Sequence, residues 1–560
     1  MTDFRRTLLW MIFITSLVFL WDSWQRFNGH PSLFFPAART QQQAAPAAPA
    51  SAAAGVPASQ ASSASAAPAT AALPAGAALA APAPGEQVTV TTDVFKATID
   101  SNGGTLSKVE LLRYADQTDP KQPIDLFDTS AERFYQAQSG LIGGSFPNHT
   151  TPMRIVPGPR ELGSGDAVSV RLESPDLGGL QLIKTYTFHR GSYLVDVKDE
   201  LVNTGTQPLQ PKLYLQLVRD GNHEATNVPK AAQAFGVHTY TGPAIYNDAK
   251  KFQKVPFEEI EKGKVPQEPV SPDGWVAMVQ HYFATAWIVP PGEQREFFAR
   301  KVDTNKYAVG MIVSLPTLAP QASQTNDVKL FVGPQEERKL ETIAPGLELV
   351  KDYGWFTIFA KPLFWLLEKL HGVIGNWGWA IVALTVLVKG AFFPLQAASY
   401  RSMAKMKAIT PRMTELRERH KNDPQRMNQA MMELYRTEKV NPLGGCLPVV
   451  VQIPIFIALY WVLLSSVEMR GAPWILWIHD LSQLDPYYIL PAVYAATMFL
   501  QIKLNPTPPD PMQARLMWMM PAVFSIMFFF FPAGLVLYWL TNNTLSITQQ
   551  WYINKKLGVK

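Results

Sequence analysis

The stretch Trp377–Ala398 reads WGWAIVALTVLVKGAFFPLQAA and carries one full charge, Lys389. It is long enough to cross a bilayer as a helix, which takes about 20 mostly apolar residues. A lysine at membrane depth costs roughly 2.5–3.5 kcal/mol on insertion scales, so the charge has to face water or a partner. Two readings compete. In the plainer one, the helix ends near Pro394 and the lysine stem snorkels to an interface. In the other, Lys389 is a functional cation held at depth. The apolar run continues past Pro394, and the next cation, Arg401, lies about 18 Å further along a helix.

At 560 residues the chain is too long for one compact domain. A mean hydropathy of −0.01 averages two unlike halves, mixed polar sequence to about residue 350 and long apolar runs after it. The net charge of +5 is modest, so the placement of Lys and Arg carries more information than their sum. A single cysteine, Cys446, rules out an intrachain disulfide and reads as a small packed hydrophobe. No Cys/His spacing suggests zinc, and no Walker A or dinucleotide glycine motif is present. No metal, nucleotide or other cofactor is therefore expected.

Taken in order, residues 1–6 precede an apolar run at 7–24 whose core is LLWMIFITSLVFLW. Its length and Trp21 and Trp24 at its end favour an uncleaved anchor over a signal peptide. Ala, Pro and Ser dominate 25–86, a flexible linker. Residues 87–349 differ. Runs such as VTVTTDVFKATID, AVSVRLES and YLVDVKDELV alternate apolar and polar residues between Gly, Pro and Asn turns. That pattern predicts an antiparallel β-sandwich. Sandwiches often bind sugars, so His149, His189, His223, Glu224, His238 and His281 are candidates there, though no spacing pairs them.

Residues 350–371 interleave aromatic and Leu residues with charges and fit a helix lying in the membrane surface; Pro362 and Gly372 predict a bend before the next span. Spans are expected at 372–395, 443–467, 487–503, 513–531 and 535–553. Between the first two of these, residues 396–440 form a strongly basic helical hairpin. Met403, Met406, Met413, Met427 and Met431 recur there at helical spacing, either packing on themselves or offering a flexible apolar surface. Its charge could meet ribosomal RNA or anionic lipid, but no base-reading motif points to sequence-specific nucleic acid.

The basic clusters lie at the N-terminus, in the hairpin, at Lys503 with Arg515, and in the tail 554–560. Six spans from a cytoplasmic N-terminus put all of them inside, with the short 504–512 loop, and leave the sandwich outside. The expected fold class is thus a multi-pass α-helical membrane protein with an all-β extracytoplasmic sandwich. Within the spans, Thr385 lies one turn before Lys389, Gln452 sits in the next span, and Tyr538, Thr541, Asn542 and Gln549 share a face of the last. Such residues turn inward, as helix glue or toward a cavity. Because no Asp or Glu lies at depth in any span, Lys389 is expected to face a hydrated cationic pocket. The same lack weakens a proton or ion transporter, and the lack of an intramembrane nucleophile–base pair weakens a hydrolase.

The runs EKVNPLGGCLPVVVQIPIFIALYWVLLSSVE, LWIHDLSQLDPYYILP, DPMQ and FPAGLVLYWLTNN closely resemble the YidC family of membrane protein insertases. The match covers the core from about Lys351 onward, and the anchor, linker and large β domain resemble its Gram-negative form. The resemblance implies a non-enzymatic insertase and chaperone of the bacterial inner membrane. Five core helices would enclose a hydrophilic groove open to cytoplasm and lipid, the hairpin would guide incoming chains, and both termini would be cytoplasmic. It implies nascent membrane proteins as clients, with the Sec translocon and the ribosome as partners. Tyr538, Trp539 and Asn542 match positions along the substrate path, and Asp510 lies in a loop linked to ribosome contact. Where the family commonly has Arg, this chain has Lys389, which keeps the charge and loses the forked donor geometry. The sandwich resembles a galactose-mutarotase-like fold. The alternatives that remain are an anchored carbohydrate-active protein and a solute transporter.

Overall fold

The computed structural model describes residues 85–222, 240–264, 270–420, 423–438, 447–505 and 511–556, apart from 118 and 131. The expected anchor at 7–24, nearly all of the linker, Cys446, His223, Glu224, His238 and Asp510 lie outside the described residues. The described chain divides into two compact units, a β unit ending at Asp352 and a helical unit from Tyr353 onward.

The β unit is a sandwich of two antiparallel sheets. One has eight strands, running from Gln87–Thr91 through Phe95–Asp100, Thr105–Ala115, Tyr135–Ile142, Lys212–Asp220 and Lys306–Ser314 to Arg295–Asp303, with Pro123–Phe127 paired beside Thr105–Ala115. The other has nine, in the order Lys251–Lys254, Gly242–Asn247, Trp275–Val279, Phe283–Ile288, Ser323–Pro334, Leu194–Asn203, Leu180–His189, Ala167–Glu173 and Arg154–Ile155. The alternation in the sequence is realised most cleanly in Ala167–Glu173, where Val168, Val170 and Leu172 are buried and their neighbours are not. Central strands depart from it. Trp275–Val279 is buried on both faces, and in Lys212–Asp220 the Leu213, Leu215, Leu217 row lies on one side while Tyr214 and Val218 join a second cluster with Ile142, Phe298, Ala308 and Ile312 on the other. Two short helices, α1 (Phe257–Glu261) and α2 (Glu337–Ile343), accompany the strands.

The helical unit holds α3 (Thr357–Ile374), α4 (Trp377–Ala391), α5 (Phe393–Arg419), α6 (Pro424–Thr437), α7 (Leu447–Ser465), α8 (Ile489–Leu504), α9 (Pro511–Phe528) and α10 (Ala533–Lys556). The helix α3 runs through Pro362 and stops at Gly375, whose φ of 73° is the left-handed C-cap that glycine adopts without strain. Asn376 then caps α4 by accepting from the Trp379 N–H at 3.0 Å. The break between α3 and α4 thus falls three residues beyond Gly372. The core joins α3 (Phe364, Leu367), α4 (Ile381, Leu384), α7 (Leu459, Val462), α8 (Leu490, Tyr494) and α10 (Val536, Leu537). Ala380, Ala458 and Ala533, each with no exposure, let the backbones approach closely. Large apolar side chains also cover the outside, among them Trp365, Leu387, Leu500, Val523 and Ile526. In water that much exposed apolar surface would drive association, whereas in lipid it carries no cost. Among the described residues no single helix is both long and apolar enough to cross a membrane; α4 and α5 pass together and are bent by 66° at Phe392.

Candidate functional site

Lys389 lies in the last turn of α4, two residues before that helix ends, and is 7% exposed. Its Nζ donates to Ser546 Oγ on α10 at 2.7 Å, and the Ser546 hydroxyl donates to the Asn542 carbonyl at 2.8 Å. Among the described residues no carboxylate comes within 4.0 Å of it. The negative end of α4 supplies part of the compensation, since a cation in the last turn of a helix is stabilised by about 0.3–1 kcal/mol, up to ~2 when partly buried. Thr385, one turn back on the same face, is buried and donates to the Ile381 carbonyl inside its own helix.

Gln452 on α7 is 6% exposed and bridges two helices: its Oε1 accepts from Gln396 Nε2 at 2.9 Å, and its Nε2 donates to Asn542 Oδ1 at 3.4 Å. Asn542 therefore receives Gln452 on its side chain and Ser546 on its carbonyl. The expected residues Lys389, Gln452 and Asn542 meet through α10. Tyr538 and Trp539 are placed differently. Tyr538 is 2% exposed within the apolar core. Trp539 stacks on Phe456 at 4.8 Å and 6°, and its buried Nε1 has no hydrogen-bond partner.

Two family models match the chain. One described as the YidC periplasmic domain covers residues 87–366, and one described as the 60Kd inner membrane protein covers 369–560. A membrane protein insertase YidC from Cupriavidus taiwanensis is 59% identical over 559 residues, 99% of this chain and 98% of the relative. This chain belongs to the YidC family. Another insertase of that name, from Ralstonia nicotianae, is 57% identical over 564 residues, 99% of this chain and 98% of its own. A solved active YidC insertase is 18% identical with a TM-score of 0.38 and covers 83% of this chain and 92% of its own. A galactose mutarotase-like protein from Lactobacillus casei is 11% identical with a TM-score of 0.27, over 44% of this chain and 100% of its own. The YidC match makes this an inner-membrane protein with a periplasmic domain, and the relatives are named as insertases, not as enzymes or transporters. Neither alternative reading gains support.

The methionines of this chain divide within the hairpin. Met413 is buried with Ile409, and Met406 and Met431 pack against them with Leu434 and Tyr435. Met413, Met427 and Met431 also line an open hollow of about 380 Å³ between α5 and α6, together with Arg417, Asn428, Met432 and Tyr435. Met403 is half-buried on α5. Met432, which the spacing did not single out, is 68% exposed at the rim.

In the β unit the described candidate histidines, His149, His189 and His281, each have a local partner. His189 Nε2 lies 2.8 Å from Asp196 Oδ2, His281 packs on Tyr282, and His149 is buried with its Nδ1 2.5 Å from the Tyr214 hydroxyl. Burial, with Lys184 and Arg300 nearby, holds His149 down to about 4. No group of His, Cys, Asp and Glu among the described residues could hold a metal ion.

The sequence reading missed Ser546, Gln396 and Asp485. Ser546 shares a helix face with Asn542 at i+4 and could have been found by extending that pattern. Asp485, 1% exposed, organises the loop between α7 and α8: it accepts from Trp477 Nε1 at 3.0 Å, the Tyr487 N–H at 3.0 Å and the Leu490 N–H at 2.6 Å.

Proposed function

We propose that the chain inserts and folds newly made membrane proteins through a cationic groove formed where α4, α5, α7 and α10 meet. Polar segments of a client dip into the groove while apolar segments pass sideways into lipid. The observation that carries this is Lys389, nine-tenths buried on a neutral hydroxyl with no described carboxylate beside it. A buried cation without a counterion attracts acidic or polar groups. No covalent chemistry is involved.

The reading includes six spans, the anchor at 7–24 and five more at 372–395, 443–467, 487–503, 513–531 and 535–553, with both termini cytoplasmic; the distribution of Lys and Arg in the sequence supports it. The hairpin at 396–440 captures clients on its methionine surface, Met427 and Met432 being best placed. The Sec translocon and the ribosome are partners, the latter through the loop bearing Asp510. Helix α3 (Thr357–Ile374) lies in the membrane surface, and the 87–349 domain faces the periplasm.

The test is insertion into liposomes containing only this protein. Lys389→Arg should retain most activity. Lys389→Glu should lose it, most severely for single-span clients whose translocated tails are acidic. Equal insertion of those clients by wild type and Lys389→Glu would remove the basis for the groove.

A further inference from the structure

Gln396 stands in the first turn of α5, just past the 66° bend, and is 5% exposed. Its Nε2 donates to Gln452, which donates to Asn542. Side-chain amides alone thus tie α5, α7 and α10 together. The bend is held a second time by Gln549 of α10, whose Nε2 donates to the Phe393 carbonyl at 3.3 Å. The ladder ends at Gln396 Oε1, which is buried and has no hydrogen-bond partner. A buried acceptor left unpaired is destabilising, because it has given up its hydrogen bond to water and gained none in return. Satisfied polar groups are the rule in protein interiors, so this acceptor is open to a donor that arrives from outside the fold.

Lipid tails carry no hydrogen-bond donors. An unfolded polypeptide carries one at nearly every residue, and each N–H taken out of water needs an acceptor. We propose that Gln396 positions the Gln452–Asn542 ladder beside Lys389, and that its free Oε1 accepts a backbone N–H from the polar segment of an incoming chain. This inference rests on the groove reading and adds a division of labour to it. Lys389 selects clients by charge. Gln396 contacts what every client shares, so its contribution is independent of tail charge.

Two experiments on the full chain in proteoliposomes test it. The first compares three single-span clients, with an acidic, a neutral polar and no translocated tail. Gln396→Leu should slow the first two equally, by about two- to tenfold, the equivalent of one net hydrogen bond, and leave the third unchanged. Equal slowing of all three clients, or of none, overturns the proposal. The second introduces Gln396→Cys into a Cys446→Ser background and seeks crosslinks to cysteines placed along the client. Crosslinks to the translocated tail support the contact; their absence at every tail position overturns it, whatever the variant does to stability. Loss of insertion with Lys389→Glu but not with Gln396→Leu removes this inference alone, whereas no loss with Lys389→Glu removes the groove reading itself.

Discussion

A lysine two residues from a helix end is in a different electrostatic position from one at mid-helix. Lys389 gains the carbonyl end of α4 and the hydroxyl of Ser546, yet it remains an ion removed from water without an opposite charge. Replacing it by an apolar chain of similar length should therefore stabilise the fold while harming activity. Lys389→Met is expected to raise the thermal midpoint of the helical unit in detergent and to reduce insertion of acidic-tailed clients; a lowered midpoint with insertion intact would reverse the assignment. In the β unit His149 provides a pH-dependent counterpart. Its folded pKa of about 4 lies below the unfolded 6.5 because burial and the nearby Lys184 and Arg300 penalise the charged ring. Between these values the unfolded chain binds more protons, so stability rises with pH. The His149 contribution is fully present above pH 6.5 and is lost as pH falls through about 4. Thermal unfolding from pH 7 to pH 4 should show this decline, and His149→Gln should flatten it.

Among the elements, the bend at Phe392 and the loop before α8 do most to shape the helical unit. The apolar run across Lys389 reads as one continuous span, but the chain turns by 66° there and α5 continues to Arg419 as the first arm of the hairpin. Nothing in the local sequence except Pro394 marks the turn. It is fixed by contacts from α7 and α10 that lie more than 50 residues away in sequence. The 466–488 loop is held by Asp485, and by the Ala533 and Gly534 N–H groups donating to the Gln483 and Leu481 carbonyls at 2.7 and 2.9 Å. Gly378 of α4 leans on the same loop so closely that a Cβ would stand 2.2 Å from the Trp474 ring. Asp485→Ala leaves three N–H donors without their acceptor and should destabilise the helical unit by about 3 kcal/mol. A chemical-denaturation midpoint unchanged from wild type would show that the loop is held by something else.

At the scale of the whole molecule, each unit closes its own core, and two unfolding transitions are expected. Within the sandwich, Lys184 and Asp199 face each other across Leu180–His189 and Leu194–Asn203, both without exposure. Lys184 Nζ donates to the Gly103 carbonyl at 2.7 Å, while neither Asp199 oxygen has a hydrogen-bond partner. Burial pushes the lysine down and the aspartate up. Lys184→Met strands the aspartate and should lower the β transition by about 5–10 °C while the helical transition stays in place; a shift of both would show the cores to be coupled. The two-part architecture, the antiparallel sandwich and the charged hairpin were legible in the sequence alone, because hydrophobic period, turn residues and charge runs are local properties of a chain. So was the cost of placing Lys389 there, since a lone charge in an apolar run is costly in any fold. Its partner Ser546, the ladder through Gln396 and the burial of Tyr538 were decided only by tertiary structure. Which faces of α4, α5, α7 and α10 meet depends on how distant helices pack, and no local pattern encodes that.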